Sequence, residues 1–254
     1  RQTPTHTYHL SKKMDPDNKN QQGLENASIP ESDTTQNTCL RCGICCEKGG
    51  PCFHQEDRLL IETGQILAKY LYTIRKGEYA YDNVKGCRMP ASSDIIKIQG
   101  QKGSWTCFFF KAGEKRCAIY NDRPLECRRL KCWDTEALEQ NYTRNRLTRE
   151  DLISQVKGLW DLVADHQVRC DYGKIKKLIN DLSGPQKERA RKEILEIIQY
   201  DAEIRKLVVA KGEMDPAMLD FIFGRSLTQT LPGYGIKVRQ EGNKLVIVLT
   251  QSTQ

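Results

Sequence analysis

Cysteine is the residue type in this chain whose spacing most clearly indicates chemistry. Ten of the eleven cysteines lie between residues 39 and 132, and the first four form the run Cys39-x2-Cys42-x2-Cys45-Cys46. A C-x2-C turn places two thiolates on the same side of a tight loop, at the separation that a tetrahedral zinc ion or an iron–sulfur cube requires. This dense run of thiols therefore predicts a metal site.

The spacing also bears on which metal is bound. All-thiolate tetrahedral coordination suits both zinc and iron–sulfur clusters. The C-x2-C-x2-C arc resembles the one that wraps a cubane in bacterial-type ferredoxins. Zinc ribbons use two knuckles separated by a spacer, whereas this chain has a single tight cysteine run. We therefore expect a [4Fe–4S] cluster as the cofactor, with zinc as the alternative.

Six further cysteines follow the first run in the same part of the chain. They are Cys52, Cys87, Cys107, Cys117, Cys127 and Cys132. Because the side chains of consecutive residues are expected to point apart, Cys45 and Cys46 predict either a second metal centre or one spare thiol. Cys170 lies far from this group in the sequence and is predicted to be a small buried hydrophobe. Cys52 and Cys87 are open to either interpretation.

Three separated motifs place these cysteines in a characteristic order. They are Cys39-x2-Cys42-Gly43-x-Cys45-Cys46, then Trp105-x-Cys107-Phe108, then Cys117-x-Ile119-Tyr120-x2-Arg123-Pro124-x2-Cys127-Arg128. Over residues 39–133 the chain resembles the YkgJ-type cysteine cluster family, whose members are described as zinc- or iron-chelating proteins with eight cysteines. The resemblance does not cover the chain beyond residue 134.

The resemblance implies a set of metal ligands. Seven of the eight family cysteines carry over to Cys39, Cys42, Cys45, Cys46, Cys107, Cys117 and Cys127. Cys132 and Cys87 compete for the eighth place. We prefer Cys132, because Cys127-x4-Cys132 keeps both ligands in one short segment.

Charged residues near the cysteines are expected to support the site. Arg123-Pro124 predicts a rigid turn whose guanidinium donates to a sulfur or to a carbonyl, and Arg128 is expected to offset thiolate charge. His54 is the one histidine of this module. It is predicted either as a metal ligand oriented by Glu56 or as a plain surface histidine.

The positive charge of the chain is concentrated in the cysteine-rich module. The net charge is +7, and residues 39–133 alone hold 17 Lys/Arg against 10 Asp/Glu. A four-thiolate site on a divalent metal or a cubane carries about −2 overall, so basic residues are expected to compensate it. A nucleic-acid partner, which would also attract such a surface, is the less favoured interpretation.

The N-terminal segment and the absence of long apolar stretches bear on partners and location. Residues 1–38 are polar without a hydrophobic period, and such a composition buries too little apolar surface to offset its ordering entropy. We expect this arm to contact a protein partner or to support a homo-oligomer. No stretch approaches the roughly 18 apolar residues that span a bilayer. Clustered free thiols favour a reducing, cytoplasmic location.

The predicted fold class is α+β. We expect a polar arm (1–38), a cysteine-cluster metal-binding domain with short strands (39–133), and a helical region ending in a β-hairpin (134–254). The predicted helices cover residues 57–74, 173–182, 185–210 and 215–223, and Thr148-x2-Asp151 predicts a capped helix start. The predicted strands cover residues 95–98, 105–109, 117–120, 235–238 and 244–249.

Three functions are compatible with these features. The favoured one is an iron–sulfur protein with a redox, electron-transfer or maturation role. The second is a zinc-stabilised adaptor subunit of a larger assembly. The third is a methyltransferase, because the cysteine-rich region resembles that of the flagellin lysine N-methylases. Against the third, Pro232-Gly-Tyr-Gly235 is a weak match to a glycine-rich S-adenosylmethionine loop and predicts a turn before the hairpin.

Overall fold

The computed structural model describes residues 39–242 and 244–250. The arm predicted over residues 1–38 lies outside the described residues, as does its proposed role in partner binding. The α-helices of the described part are α1 (Ile44–Glu47), α2 (Arg58–Glu62), α3 (Leu125–Arg129), α4 (Glu136–Glu139), α5 (Arg149–Ile153), α6 (Leu159–Arg169), α7 (Tyr172–Asp181), α8 (Lys187–Gly212), α9 (Leu219–Ile222) and α10 (Leu227–Thr230).

The strands of the described part are short and pair two at a time. They are β1 (Leu71–Ile74), β2 (Tyr79–Asp82), β3 (Cys87–Pro90), β4 (Ile95–Ile98), β5 (Phe110–Lys111), β6 (Arg116–Cys117), β7 (Ile236–Glu241) and β8 (Lys244–Leu249). Four antiparallel ladders result, joining β1 to β4, β2 to β3, β5 to β6 and β7 to β8. Helices and separate antiparallel ladders in one chain confirm the α+β class.

Elements with strong local signals form where the sequence predicts them. Asp171 caps α7 by accepting a hydrogen bond from the backbone N–H of Lys174 at 2.7 Å. Thr148 and Asp151 form a reciprocal capping box at the start of α5. α8, α9 and the β7–β8 hairpin also lie at the predicted positions. These elements depend on residues close in sequence, which explains the agreement.

The helix predicted over residues 57–74 is wrong beyond its first turns. α2 ends at Glu62, and Gly64 follows with a φ of +77°, a left-handed conformation that terminates a helix. The last predicted turn is instead β1, whose Leu71 pairs with Ile98 of β4. The apolar spacing was compatible with a helix, but long-range pairing with β4 determines the structure.

The strand predicted over residues 105–109 is also wrong. The backbone N–H of Cys107 donates to the carbonyl of Cys46 at 2.8 Å, which ties this segment to the first cysteine run. The Gln101 side-chain amide donates to the carbonyls of Cys107 and Phe110, at 3.2 and 2.6 Å. These hydrogen bonds satisfy backbone groups that would otherwise pair with a neighbouring strand.

One hairpin was missed by the sequence analysis. β2 and β3 enclose a turn in which Asp82 Oδ1 accepts from the backbone N–H groups of Val84 and Lys85, both at 3.0 Å. Asp and Asn favour turns of this kind, because their side chains form hydrogen bonds with backbone groups a few residues further on. The alternation of Tyr79 and Tyr81 around Ala80 was the accompanying strand signal.

The main hydrophobic core contains residues from both sides of the predicted 133/134 boundary. Phe53, Ile96 and Phe110 share it with Ile204 and Phe223, all nearly or fully buried. The placement of that boundary stays a prediction. The packing nevertheless shows that the helical region supports the cysteine module directly.

A second core holds the C-terminal elements together. It packs Ile175 of α7 and Ile194 of α8 against Ile236 and Ile247 of the hairpin. Within the described residues, no helix is both long enough and apolar enough to cross a membrane.

Candidate metal centre

A tight turn shapes the first cysteine run. Arg41 and Gly43 both have positive φ angles, of 54° and 85°, and α1 begins directly after them. The backbone N–H of Arg41 donates to Cys39 Sγ at 3.4 Å. Such N–H···S bonds orient thiolates and stabilise their charge. Cys39, Cys42 and Cys45 are all exposed on this turn.

Two glycines allow the turn to lie flat on the strands beneath it. A Cβ on Gly43 would overlap the ring of Phe110, and a Cβ on Gly50 would overlap the carbonyl of Ile98. The hydrogen bond from the Cys107 N–H to the Cys46 carbonyl adds a third attachment. The first cysteine run is therefore fixed against the segment that carries Cys107.

The β5–β6 ladder positions two more cysteines. Phe110 pairs with Cys117 across the ladder, and the N–H of Phe110 also donates to the carbonyl of Cys107 at 3.0 Å. Cys107 is 6% exposed, and Cys117 is partly buried. This short hairpin thus holds Cys107 and Cys117 on neighbouring backbone segments.

The α3 helix supplies Cys127 and is anchored by two carboxylates. Asp57 is fully buried and accepts from the backbone N–H of Leu125 at 2.7 Å. Glu126 accepts from the backbone N–H of Cys52 at 2.7 Å. These two acids were not identified from the sequence. The helix-start motif Pro124-x-Glu126-Cys127 was the available signal.

Five cysteines from three separate segments come within electrostatic range of one another. Burial raises the pKa of Cys127, and the neighbouring Cys107, Cys117 and Cys45 raise it further. Cys107 and Cys127 in turn add to the raised pKa of Cys46. Thiols disfavour each other's ionisation when they lie near one another, because their ionised forms carry like charges. The fold thus brings together Cys45, Cys46, Cys107, Cys117 and Cys127.

The Cys45 and Cys46 thiols affect each other's pKa. The Cys46 thiol lowers the pKa of Cys45 to about 6, and the Cys45 thiol raises the pKa of Cys46. Both residues lie in α1, where consecutive side chains are separated by about 100° around the axis. That one of the two belongs to a second metal centre or is a spare thiol stays a prediction.

The remaining predicted ligands lie at the surface. Cys39, Cys42 and Cys132 are exposed. Cys87, the competitor for the eighth position, is exposed on β3 in the separate β2–β3 hairpin. Cys52 is buried, and its Sγ accepts from Lys97 Nζ at 3.5 Å. The assignment of individual ligands stays a prediction.

Tyr120 connects the first and third cysteine segments. The guanidinium carbon of Arg41 lies 4.4 Å from the centre of its ring, and that of Arg123 lies 3.6 Å from it. Arg123 Nε also donates to the Tyr120 carbonyl at 2.7 Å. The carbonyl alternative predicted for Arg123 is therefore found. Arg128 contacts Asp57 at 3.5 Å, so its main partner is a carboxylate.

His54 has a different role from both of the predicted ones. It is 4% exposed, and its Nδ1 donates to the Arg144 carbonyl at 2.8 Å. Its Nε2 lies 3.3 Å from Glu126 Oε1, and this carboxylate raises the pKa of His54. Glu126, rather than Glu56, is thus its partner. Both ring nitrogens are engaged, so His54 braces α3 from within the core.

A second group of metal-type side chains lies in the helical region. His166, Cys170 and Asp201 place donor atoms within 4.8 Å of one another, and all three are buried. His166 Nε2 donates to Asp201 Oδ1 at 2.8 Å. The predicted buried role of Cys170 is confirmed, since it has no exposed surface.

The surroundings of this second group oppose a cation. Asp201 Oδ1 also accepts from Arg205 Nε at 2.9 Å, and Asp201 Oδ2 accepts from the N–H of Leu227 at 2.9 Å. Arg75 and Arg205 both lower the pKa of His166, after the larger effect of burial. Two buried guanidiniums would repel a metal ion. The group therefore stabilises the fold.

The cysteine module is similar to a known family of metal-chelating domains. Residues 38–147 match the model of the CxxCxxCC family, described as "Putative zinc- or iron-chelating domain". This part of the chain matches a CxxCxxCC domain. The match confirms the resemblance drawn from the motifs, and it extends past residue 133 to the end of the β-bridge between His54 and Arg146.

The CxxCxxCC domain accounts for less than half of the chain. Comparison with curated proteins and with solved structures found no match. The helical region beyond residue 147 is therefore interpreted from its packing alone. Zinc or iron chelation is the activity that the family description supports.

Proposed function

We propose that the CxxCxxCC domain binds a [4Fe–4S]-type iron–sulfur cluster and serves in electron transfer. The observation that carries this proposal is the convergence of Cys45, Cys46, Cys107, Cys117 and Cys127 from three chain segments. Cys39, Cys42 and Cys132 complete the proposed set of eight metal ligands. Eight thiolates match two four-thiolate centres, because a cubane and a tetrahedral ion each take four.

Hydrogen bonds to the sulfurs support a site for anionic thiolates. Backbone N–H groups donate to Cys39 from Arg41, at 3.4 Å, and to Cys107 from Phe109. Cys45 already has a pKa of about 6 because the Cys46 thiol donates to it. Hydrogen bonds of this kind tune the potential of iron–sulfur centres. The basic surface of the domain adds further compensation for the cluster charge.

The proposal is tested by anaerobic purification and spectroscopy. We expect brown protein with broad absorption near ~400 nm that bleaches on addition of dithionite. The Cys42→Ser variant should lose this absorption, whereas Cys170→Ser should retain it as a matched control. Colourless protein that contains stoichiometric zinc would instead support the zinc-stabilised adaptor. Binding of S-adenosylmethionine, measured by calorimetry, would instead support the methyltransferase hypothesis.

A further inference from the structure

Three large apolar side chains are unusually exposed beside the candidate metal centre. Leu40 is 71% exposed, Ile44 is 56% exposed and Trp105 is 70% exposed. Leu40 and Ile44 alternate with the cysteines of the first run, and Trp105 lies two residues before Cys107. Exposed tryptophan is characteristic of binding surfaces, because its burial contributes strongly to association.

The two segments that carry these side chains are joined directly. The N–H of Cys107 donates to the carbonyl of Cys46 at 2.8 Å. A Cβ on Gly49 would lie 3.7 Å from the Trp105 carbonyl oxygen, so the backbones run side by side there. Residues 39–50 and 100–118 thus form one surface, which we call the cysteine face.

The cysteine face carries a clear excess of positive charge. Residues 39–50 and 100–118 contain six Lys/Arg against two Asp/Glu. The six basic residues are all exposed: Arg41, Lys48, Lys102, Lys111, Lys115 and Arg116. A groove of ≈ 430 Å³ on this face is lined by Lys102 and Lys111 together with Phe108 and Phe110. Phe108 and Phe110 are therefore flanked by cations in this groove.

We propose that the cysteine face docks an acidic protein that exchanges electrons with the metal site of the domain. An apolar centre with a charged rim is the usual composition of a transient protein interface. Complementary charge at such a rim accelerates encounter and selects the partner. Aliphatic side chains such as Leu40 and Ile44 offer nothing to a phosphate backbone, which argues for protein over nucleic acid.

The electron step requires no atom transfer. The cysteines of this face would hold the metal centre that accepts one electron, and a reduced flavin of the acidic partner would give that electron and be oxidised by one. The exposed Cys39, Cys42 and Cys45 lie on the same face. Docking there brings the two redox centres close together. The inference rests on the proposed iron–sulfur function.

Stopped-flow reduction with an acidic flavodoxin tests the inference. Reduced flavodoxin is mixed anaerobically with the whole protein, and bleaching is followed at several salt concentrations. We expect the rate to fall steeply as salt rises, because screening weakens the attraction between exposed charges. Trp105→Ala and the double variant Lys102→Glu/Lys111→Glu should each slow reduction about tenfold. Val168→Ala and Lys177→Glu are controls on exposed positions of α6 and α7.

Reduction by dithionite separates the two proposals. Dithionite needs no docking, so it should bleach the wild type and all these variants equally. If dithionite bleaches them but flavodoxin reduces Trp105→Ala at the wild-type rate and without salt dependence, the docking proposal is overturned and the iron–sulfur function stands. If dithionite bleaches nothing, the iron–sulfur function fails. Sedimentation with phosphatidylserine vesicles that is lost in Trp105→Ala would assign the face to a membrane surface and also overturn docking.

Discussion

The Cα of Gly43 lies against the ring of Phe110, so closely that any Cβ at residue 43 would overlap the ring. This contact fixes the first cysteine run on β5, the strand that follows Cys107. Gly43 also has a φ of 85°, which side chains rarely tolerate. Two independent constraints therefore require glycine at the centre of the C-x2-C-G turn.

Substitution Gly43→Ala should destabilise the domain and weaken metal retention. The left-handed backbone and the overlap with Phe110 together predict a loss of about 1–3 kcal/mol in the free energy of unfolding. Urea unfolding and metal content after purification measure the two effects. Gly113→Ala is the matched control, because a Cβ there meets no atom within 4 Å. Equal stability of both variants would show that the turn is not constrained as described.

The pKa values of the two histidines in the described part should lie on opposite sides of the ordinary histidine pKa. Burial lowers the pKa of His166 to about 4, whereas Glu126 raises the pKa of His54 above its ordinary 6.5. His166 should thus stay neutral at pH 5.5, where His54 is protonated. Imidazole NMR resonances assigned by His166→Gln and His54→Gln check this directly. Titration of both rings near pH 6.5 would contradict it.

These shifts also predict how stability depends on pH. His166 binds its proton more weakly in the folded state than in the unfolded state. Its contribution to the free energy of unfolding is therefore complete above pH 6.5 and is lost as pH falls towards about 4. The loss is on the order of 3 kcal/mol. His54 acts in the opposite sense, because its contribution is present below pH 6.5 and declines as pH rises through its raised pKa. Urea midpoints for the wild type and His166→Gln between pH 4.5 and 7 should converge at the acid end.

Asp57 should matter for metal retention although it does not lie on the cysteine face. Asp57→Ala removes the acceptor for the backbone N–H groups of Leu125 and His54, at 2.7 and 3.1 Å. Two buried donors left without partners predict a loss of about 2–5 kcal/mol. The start of α3 should loosen and Cys127 with it. Release of metal to a chelator should accelerate, while Asp122→Ala, an exposed acid in the preceding turn, should leave the rate unchanged.

Cysteine substitutions should divide into two classes. Cys127→Ser removes a thiol from the converging group and should abolish metal binding. Cys170→Ser places a hydroxyl in the helical core and should keep the metal, at a stability cost of about 1–3 kcal/mol. Metal analysis with thermal unfolding distinguishes the classes. Retention of full metal content by Cys127→Ser would remove Cys127 from the ligand set.

The sequence predicted the elements whose causes are local, and failed where distant segments compete. The α7 cap at Asp171 and the capping box at Thr148 are determined within one helical turn. By contrast, the apolar spacing of residues 57–74 fits a helix, but pairing of Leu71 with Ile98 overrides it. The periodicity of residues 57–74 gives no information about their pairing with a distant strand.

The sequence identified the cysteine residues of the candidate metal site but not the contacts that position them. The motif spacing identified the cysteine module, and the family match confirms that identification. The pairing of His54 with Glu126 joins residues 72 positions apart, and nothing in their local sequence indicates it. The helical turn at Ile44–Glu47, which carries Cys45 and Cys46, is too short to be evident from periodicity.

The most direct test of the central claim is the content of iron, acid-labile sulfide and zinc in protein purified without oxygen. We expect iron and sulfide in equal amounts, with little zinc, because a cubane contains one sulfide per iron. The Cys42→Ser variant should lose both elements together. One or two zinc ions per chain, with neither iron nor sulfide, would contradict the iron–sulfur assignment.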